Sequence, residues 1–110
     1  MFHELRIYRC QPGKLKNELD RMKEAARELF PRHGVKAVGY WTVMVGPSDH
    51  DIYYILEWAS LEERSAKWKA FGSDPKWMKL FKESEQNGTL LTSITNIFLK
   101  PLAFGEAKKT

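Results

Sequence analysis

The sequence has little of several features that mark large protein classes. It contains one cysteine, Cys10, so no disulfide can form within the chain. No apolar run approaches the roughly 20 residues that a membrane-spanning helix needs, and nothing at the start of the chain is typical of a secretion signal. We therefore expect a cytoplasmic protein without a membrane partner. Phosphate-binding glycine motifs and the Gly-x-Ser-x-Gly elbow are missing, which argues against nucleotide binding and serine hydrolysis.

The chain carries a moderate net positive charge. Lysine and arginine number 18 and aspartate and glutamate number 14, so the net charge is +4. Between residues 14 and 28 the two signs alternate, which is typical of a solvated helix face rather than of a phosphate-binding stripe. We therefore expect no nucleic-acid partner.

The composition is that of a folded domain. Of the 110 residues, 43% are apolar and 13% are aromatic, which excludes intrinsic disorder and is enough for one hydrophobic core. We predict a single domain over residues 1–104 and a flexible tail over residues 105–110.

Hydrophobic periodicity and capping signals predict the order β-α-β-β-α-β, with the second helical region split in two. This order is typical of an α+β, ferredoxin-like fold, in which an antiparallel sheet carries helices on one face. The predicted elements are a strand over residues 2–9, a helix over 14–30, strands over 35–45 and 51–58, a helix from the capping box Ser60–Glu63 to 71, a helix from Asp74-Pro75, and a strand over 90–99.

The two faces of the sheet should differ. On the first strand we expect Leu5 and Ile7 to face the helices, and Glu4, Arg6 and Tyr8 to lie on the opposite face. That opposite face should also carry large aromatic side chains, which are too apolar to leave in water. A second copy of the same sheet would cover it, so we expect a homodimer. The aromatic residues in question are Trp41, Tyr53, Tyr54 and Trp58.

Several short motifs occur in an order that resembles one known family. Together they cover residues 2 to 101, and the chain resembles the NIPSNAP proteins of the dimeric α/β-barrel superfamily. The resemblance implies a dimeric α/β barrel. The superfamily includes cofactor-independent oxygenases, and some members of the family look like adaptor proteins. The motifs are Phe2-His3-Glu4-Leu5-Arg6-Ile7-Tyr8, Pro12-Gly13-Lys14, Arg32-His33-Gly34, Val38-Gly39-Tyr40-Trp41-Thr42, Leu56-Glu57-Trp58 and Asp74-Pro75-x-Trp77.

Three residues are catalytic candidates, each with a plainer alternative. Arg6 and Glu57 lie on neighbouring strands, where they could form a structural ion pair or anchor the polar edge of a ligand. His33 follows the long helix, where it could interact with the helix dipole or act as a general acid or base. We expect Arg6 and Glu57 to line a common cavity.

The expected function is binding of a small apolar or aromatic ligand, with a cofactor-independent oxygenase-type reaction as a further option. The alternative is a non-catalytic interaction or adaptor module, so the sequence leaves open whether the protein is an enzyme. We expect no cofactor and no metal, because adjacent side chains such as Asp49-His50-Asp51 rarely converge on one ion. The predicted ligand-binding residues are Arg6, Tyr8, Trp41, Tyr54, Glu57 and Trp58.

Overall fold

The computed structural model describes residues 1–105, so residues 106–110 of the expected tail lie outside the described residues. Four strands form one antiparallel sheet in the order β2-β3-β1-β4. The sheet is open, and its strand order is the ferredoxin-like one that the sequence predicts. The strands are β1 (Phe2–Cys10), β2 (Lys36–Thr42), β3 (Asp51–Trp58) and β4 (Leu91–Leu99).

The first helical region changes pitch before its proline. Helix α1 (Leu15–Glu24) continues as a π-helical turn (Ala25–Leu29) and ends in the short α2 (Phe30–Arg32). The Phe30 N–H donates to the Ala25 carbonyl five residues earlier. A wider turn suits this position, because Pro31 has no N–H to continue the regular α-helical ladder.

The second helical region is split as predicted into α3 (Leu61–Gly72) and α4 (Pro75–Ser84). Ser60 Oγ accepts the Glu63 N–H at 3.1 Å, and Asp74 Oδ1 accepts the Lys76 N–H at 2.8 Å. Both are N-cap hydrogen bonds, which confirm the two predicted helix starts. None of the helices within residues 1–105 is long and apolar enough to cross a membrane.

The predicted direction of the first strand is wrong. Glu4, Arg6 and Tyr8 lie on the helix side of β1, and Glu4 and Arg6 are only 0% and 6% exposed, whereas Leu5 and Ile7 are half-buried on the open face. The alternation itself is correct. The assignment of its two faces fails because the charged side chains of this strand are paired inside the protein and so do not need water.

The prediction for the aromatic residues is half correct. Trp41 is 50% exposed, and Tyr53, its cross-strand neighbour, is half-buried on the open face. Tyr54 and Trp58 are buried against the helices, with 1% and 0% of their surface exposed. They join the core, which also contains Ile52 and Leu56 of β3 and apolar residues of the helical regions.

Candidate functional site

A partly enclosed cavity of about 260 Å³ lies between the sheet and the helices. Side chains from β1 and β3 form its floor, and α1, the π-helical turn, α2, α3 and α4 supply the walls. Its volume exceeds the roughly 150 Å³ that holds one benzene ring in an engineered cavity, and it lies near the lower end of natural ligand sites. Six aromatic side chains line it: Tyr8, Phe30, Tyr54, Trp68, Phe71 and Trp77.

Three aromatic side chains from α3 and α4 pack against one another in the walls of the cavity. Phe71 of α3 stacks on Trp68 with 5.3 Å between ring centroids, and Trp77 of α4 lies 4.8 Å from Phe71. Arg6 Cζ lies 4.8 Å from the centroid of the Trp68 ring. A flat apolar molecule in this cavity would meet ring faces on one side and a guanidinium group on another.

Beside the floor, two residues from Arg6 on β1, the buried carboxylate of Glu4 accepts from several donors. Glu4 accepts hydrogen bonds from Arg6 Nη1 at 2.9 Å and from Arg64 Nε and Nη2 at 2.8 and 3.0 Å. Trp58 Nε1 and Asn96 Nδ2 donate to it at 3.0 and 3.2 Å. One carboxylate therefore serves two guanidinium groups, which leaves this cluster with a net positive charge.

Glu4 stays ionised in spite of its burial. Burial alone would raise the pKa of its carboxyl group, but hydrogen bonds from Arg64 and Trp58 and the charge of Arg6 outweigh that effect and lower the pKa to about 2. The carboxylate holds Arg6 in place from one side. Arg6 is thereby fixed so that its Nε and Nη2 atoms face the hydroxyl groups of Tyr54 and Tyr8.

Two tyrosines complete the floor. Arg6 Nε donates to the Tyr54 hydroxyl at 2.7 Å, and Arg6 Nη2 donates to the Tyr8 hydroxyl at 3.3 Å. The two hydroxyl oxygens lie 2.7 Å apart. Burial raises the pKa of Tyr54 well above its usual value, so this phenol remains neutral.

A second buried ion pair stands in the helical wall. Arg21 Nε and Nη2 donate to the Glu18 carboxylate at 2.9 and 3.2 Å, and Arg21 Nη1 donates to Glu85 at 3.1 Å. Burial raises the pKa of Glu18, and the hydrogen bonds and charge of Arg21 oppose that rise. Here one guanidinium group faces two carboxylates, so this group in the wall has a net negative charge. The Glu4 cluster, with two guanidinium groups and one carboxylate, has a net positive charge.

Arg6 pairs with a carboxylate, but the prediction that Arg6 and Glu57 line a common cavity is wrong. Glu57 pairs with His3 across β1 and β3, on the open face, and its carboxylate lies 3.7 Å from His3 Nε2. Arg6 lies opposite Tyr54 on the helix side, and its carboxylate partner is Glu4. The two residues therefore do not line a common cavity. Their strands are neighbours as predicted, but their side chains leave the sheet in opposite directions.

The predicted site residues besides Glu57 are divided between four places. Arg6, Tyr8 and Tyr54 line the cavity, and Trp58 lies outside its lining as a donor to Glu4. Trp41 stands on the open face. His33 is outside the cavity lining, and its Nε2 lies 2.7 Å from Asp74 Oδ2 at the start of α4.

Sequence reasoning missed the helical half of the cavity. The alternating charges between residues 14 and 28 predict a solvated face there, but Glu18 and Arg21 are buried. A signal was available: Glu18, Met22, Ala25 and Leu29 follow one another at intervals of four, three and four, which is the spacing of a single buried stripe. A charged residue within such a stripe indicates a buried ion pair.

The arrangement suits binding of a molecule with an apolar body and a polar edge. Cys10 is not part of it, because the thiol is buried elsewhere and burial raises its pKa to about 11. Within residues 1–105 no group of three histidine, cysteine, aspartate or glutamate side chains is placed to hold a metal ion.

Comparison with known sequences gives one family. Residues 3–106 match the model of the NIPSNAP family. Over 80 residues the chain is 30% identical to Protein NipSnap homolog 3B from Mus musculus. The matched segment covers 73% of this chain and 32% of that protein. The chain thus spans about a third of the length of the curated relatives it matches.

Comparison with solved structures gives the same family and a wider fold group. A NIPSNAP family protein of unknown function from Agrobacterium tumefaciens is 27% identical, with a TM-score of 0.81 over 96% of this chain and 91% of that one. An antibiotic biosynthesis monooxygenase is 12% identical, with a TM-score of 0.60 over 93% and 99% of the two chains. The second likeness concerns the fold alone.

Proposed function

The chain belongs to the NIPSNAP family, and on that premise we propose that it binds a small, flat, mostly apolar molecule in the cavity between its sheet and its helices. The observation that carries the proposal is the coincidence of six aromatic rings with the fixed Arg6–Tyr8–Tyr54 group in one partly enclosed space. Natural ligand sites have this composition: an apolar lining with a few polar groups that orient the ligand.

Binding is favoured over the two other functions that the sequence allows. An interaction module would need no internal cavity, and solid packing of the aromatic residues would have favoured it. The charged groups around the cavity are held in ion pairs, Glu4 with Arg6 and Glu18 with Arg21. Such groups suit orientation of a ligand better than proton transfer, so an oxygenase-type reaction is not part of the proposal.

The test uses 2-acetylnaphthalene, a flat bicyclic ketone, as the probe in calorimetric titrations of the full chain. Gly72 lines the cavity, and a Cβ atom built on it meets no atom within 4 Å. We expect Gly72→Leu to occupy the space and to weaken probe binding at least tenfold. Ala70→Leu, on the exposed side of the same helix, should leave the affinity unchanged. Equal affinities for all three proteins would place the probe outside this cavity and contradict the proposal.

We further propose that the open face of the sheet pairs with a second copy of the chain. This face presents apolar side chains from all four strands, and water is a poor environment for so continuous an apolar surface. Isologous pairing of the two sheets would bury the open face of each copy against the same face of the other. The residues on it include Leu5, Ile7, Trp41, Tyr53, Ile55, Ile97 and Leu99.

Light scattering after gel filtration tests the pairing. The chain has a mass of 12.9 kDa, and we expect twice that mass at micromolar concentration. Ile55→Lys places a charge in the middle of the open face and should give the monomer. Met78→Lys, on an exposed position of α4, should not change the mass. A monomeric wild-type protein would refute the pairing and leave the cavity proposal untouched.

A further inference from the structure

The hydrogen bonds of the cavity floor determine which atom a ligand must present, given the proposed binding function. Arg6 can only donate, so Tyr54 and Tyr8 accept from it. Each of the two phenol groups carries one O–H proton. One of these protons lies in the 2.7 Å contact between the hydroxyl oxygens, and the other must point elsewhere.

Burial decides which tyrosine donates. Tyr54 is 1% exposed, and the hydrogen-bond partners of its hydroxyl among residues 1–105 are Arg6 and Tyr8. If Tyr8 donated to Tyr54, the Tyr54 proton would be buried without an acceptor, which is costly. The favourable arrangement is the opposite one, in which Tyr54 donates to Tyr8.

The Tyr8 proton is then free for a ligand. The Tyr8 oxygen accepts from Tyr54 and from Arg6, so both of its lone pairs are used. Its own O–H finds no acceptor among the described residues, and Tyr8 lines the cavity. Donation from a guanidinium group through one phenol to the next polarises the terminal O–H and makes it a stronger donor.

We propose that the Tyr8 hydroxyl is the specificity-determining donor of this site and that the ligand is a planar molecule with a carbonyl or anionic oxygen at its edge. The Arg6 guanidinium, which donates to the Tyr8 hydroxyl, supports negative charge on that oxygen from the floor of the cavity, while the group of opposite charge balance, Glu18, Arg21 and Glu85, lies in the helical wall. A hydrocarbon of the same shape would leave the Tyr8 proton unpaired and would bind less tightly.

The test compares two probes of nearly the same shape, 2-acetylnaphthalene and 2-isopropenylnaphthalene, in which a methylene group replaces the carbonyl oxygen. Wild-type protein should bind the ketone about 5- to 30-fold more tightly, the effect of one hydrogen bond from a polarised donor. Tyr8→Phe should abolish this preference, because no hydroxyl then donates to the ketone and none is left without a partner beside the alkene. Tyr53→Phe removes a hydroxyl group from the open face and should keep the full preference.

The outcomes separate the inference from the function on which it rests. If neither probe binds the wild-type protein, the proposed cavity function fails. If both probes bind equally, the cavity function stands and the inference is wrong. If Tyr8→Phe retains the preference for the ketone, another group donates to the carbonyl, and the role given to Tyr8 is refuted.

Discussion

Replacement of Glu4 by glutamine should destabilise the protein in a manner that depends on pH. The side chain is fully buried and accepts five hydrogen bonds, four of them from charged or aromatic N–H groups that form the support of the cavity floor. Glutamine has the same shape but no charge. It would leave Arg6 and Arg64 without their shared carboxylate.

The magnitude follows from the pKa of the carboxyl group. A pKa lowered from 4.5 to about 2 corresponds to about 3 kcal/mol of folding free energy, which agrees with the cost of breaking a buried ion pair. Since the folded-state pKa is depressed, this stability is fully present above pH 4.5 and is lost as the pH falls toward 2. At pH 3 about 1 kcal/mol of it should remain.

Urea unfolding at pH 7 and pH 3 measures this effect. We expect Glu4→Gln to unfold with about 3 kcal/mol less free energy than wild type at pH 7 and with a difference of about 1 kcal/mol at pH 3. Glu57→Gln is the matched control, because its carboxylate is 40% exposed on the other face of the sheet. It should change the free energy by less than about 0.5 kcal/mol. A Glu4→Gln difference that is the same at both pH values would refute the reasoning.

Three further predictions concern other parts of the structure. Tyr54→Phe should cost about 1–2 kcal/mol in urea unfolding, because Arg6 Nε loses its buried acceptor; no change in stability would mean that water replaces the hydroxyl group. Asp74→Ala should lower the thermal midpoint because it removes the N-cap of α4 and the acceptor of His33, whereas Asp74→Asn should retain most of the cap; equal midpoints for the two variants would contradict a capping role. Cys10 should react with a thiol reagent only in denaturant, since it is buried and burial raises its pKa to about 11; rapid reaction of the folded protein would show that the thiol is accessible.

The element order and both caps of the split helical region could be predicted from the sequence, because they depend on local chemistry. The Ser60–Glu63 pair and Asp74-Pro75 satisfy helix N-termini wherever the helices pack. The direction of the first strand could not be predicted in this way. Its polar residues are inside because partners far away in sequence, Tyr54, Trp58 and Arg64, bond to them there.

The candidate site was predicted on its sheet side only. Arg6, Tyr8 and Tyr54 could be chosen by residue type and strand position, and the structure brings them together. Arg6 and Glu57 do not share a cavity because Glu57 lies opposite His3, three residues from Arg6 on β1, and an odd number of residues along a strand changes the face. A shift of one residue in side-chain direction moves a partner to the opposite side of the sheet.

The indole N–H signals of the four tryptophans test the central claim most directly. Trp68 and Trp77 line the cavity, Trp41 lies on the open face, and Trp58 is buried outside the cavity lining, where it donates to Glu4. In a titration with 2-acetylnaphthalene followed by proton–nitrogen correlation spectra, binding in the cavity should shift the Trp68 and Trp77 signals and leave the Trp41 signal in place. A shift of the Trp41 signal with unchanged Trp68 and Trp77 signals would contradict the account.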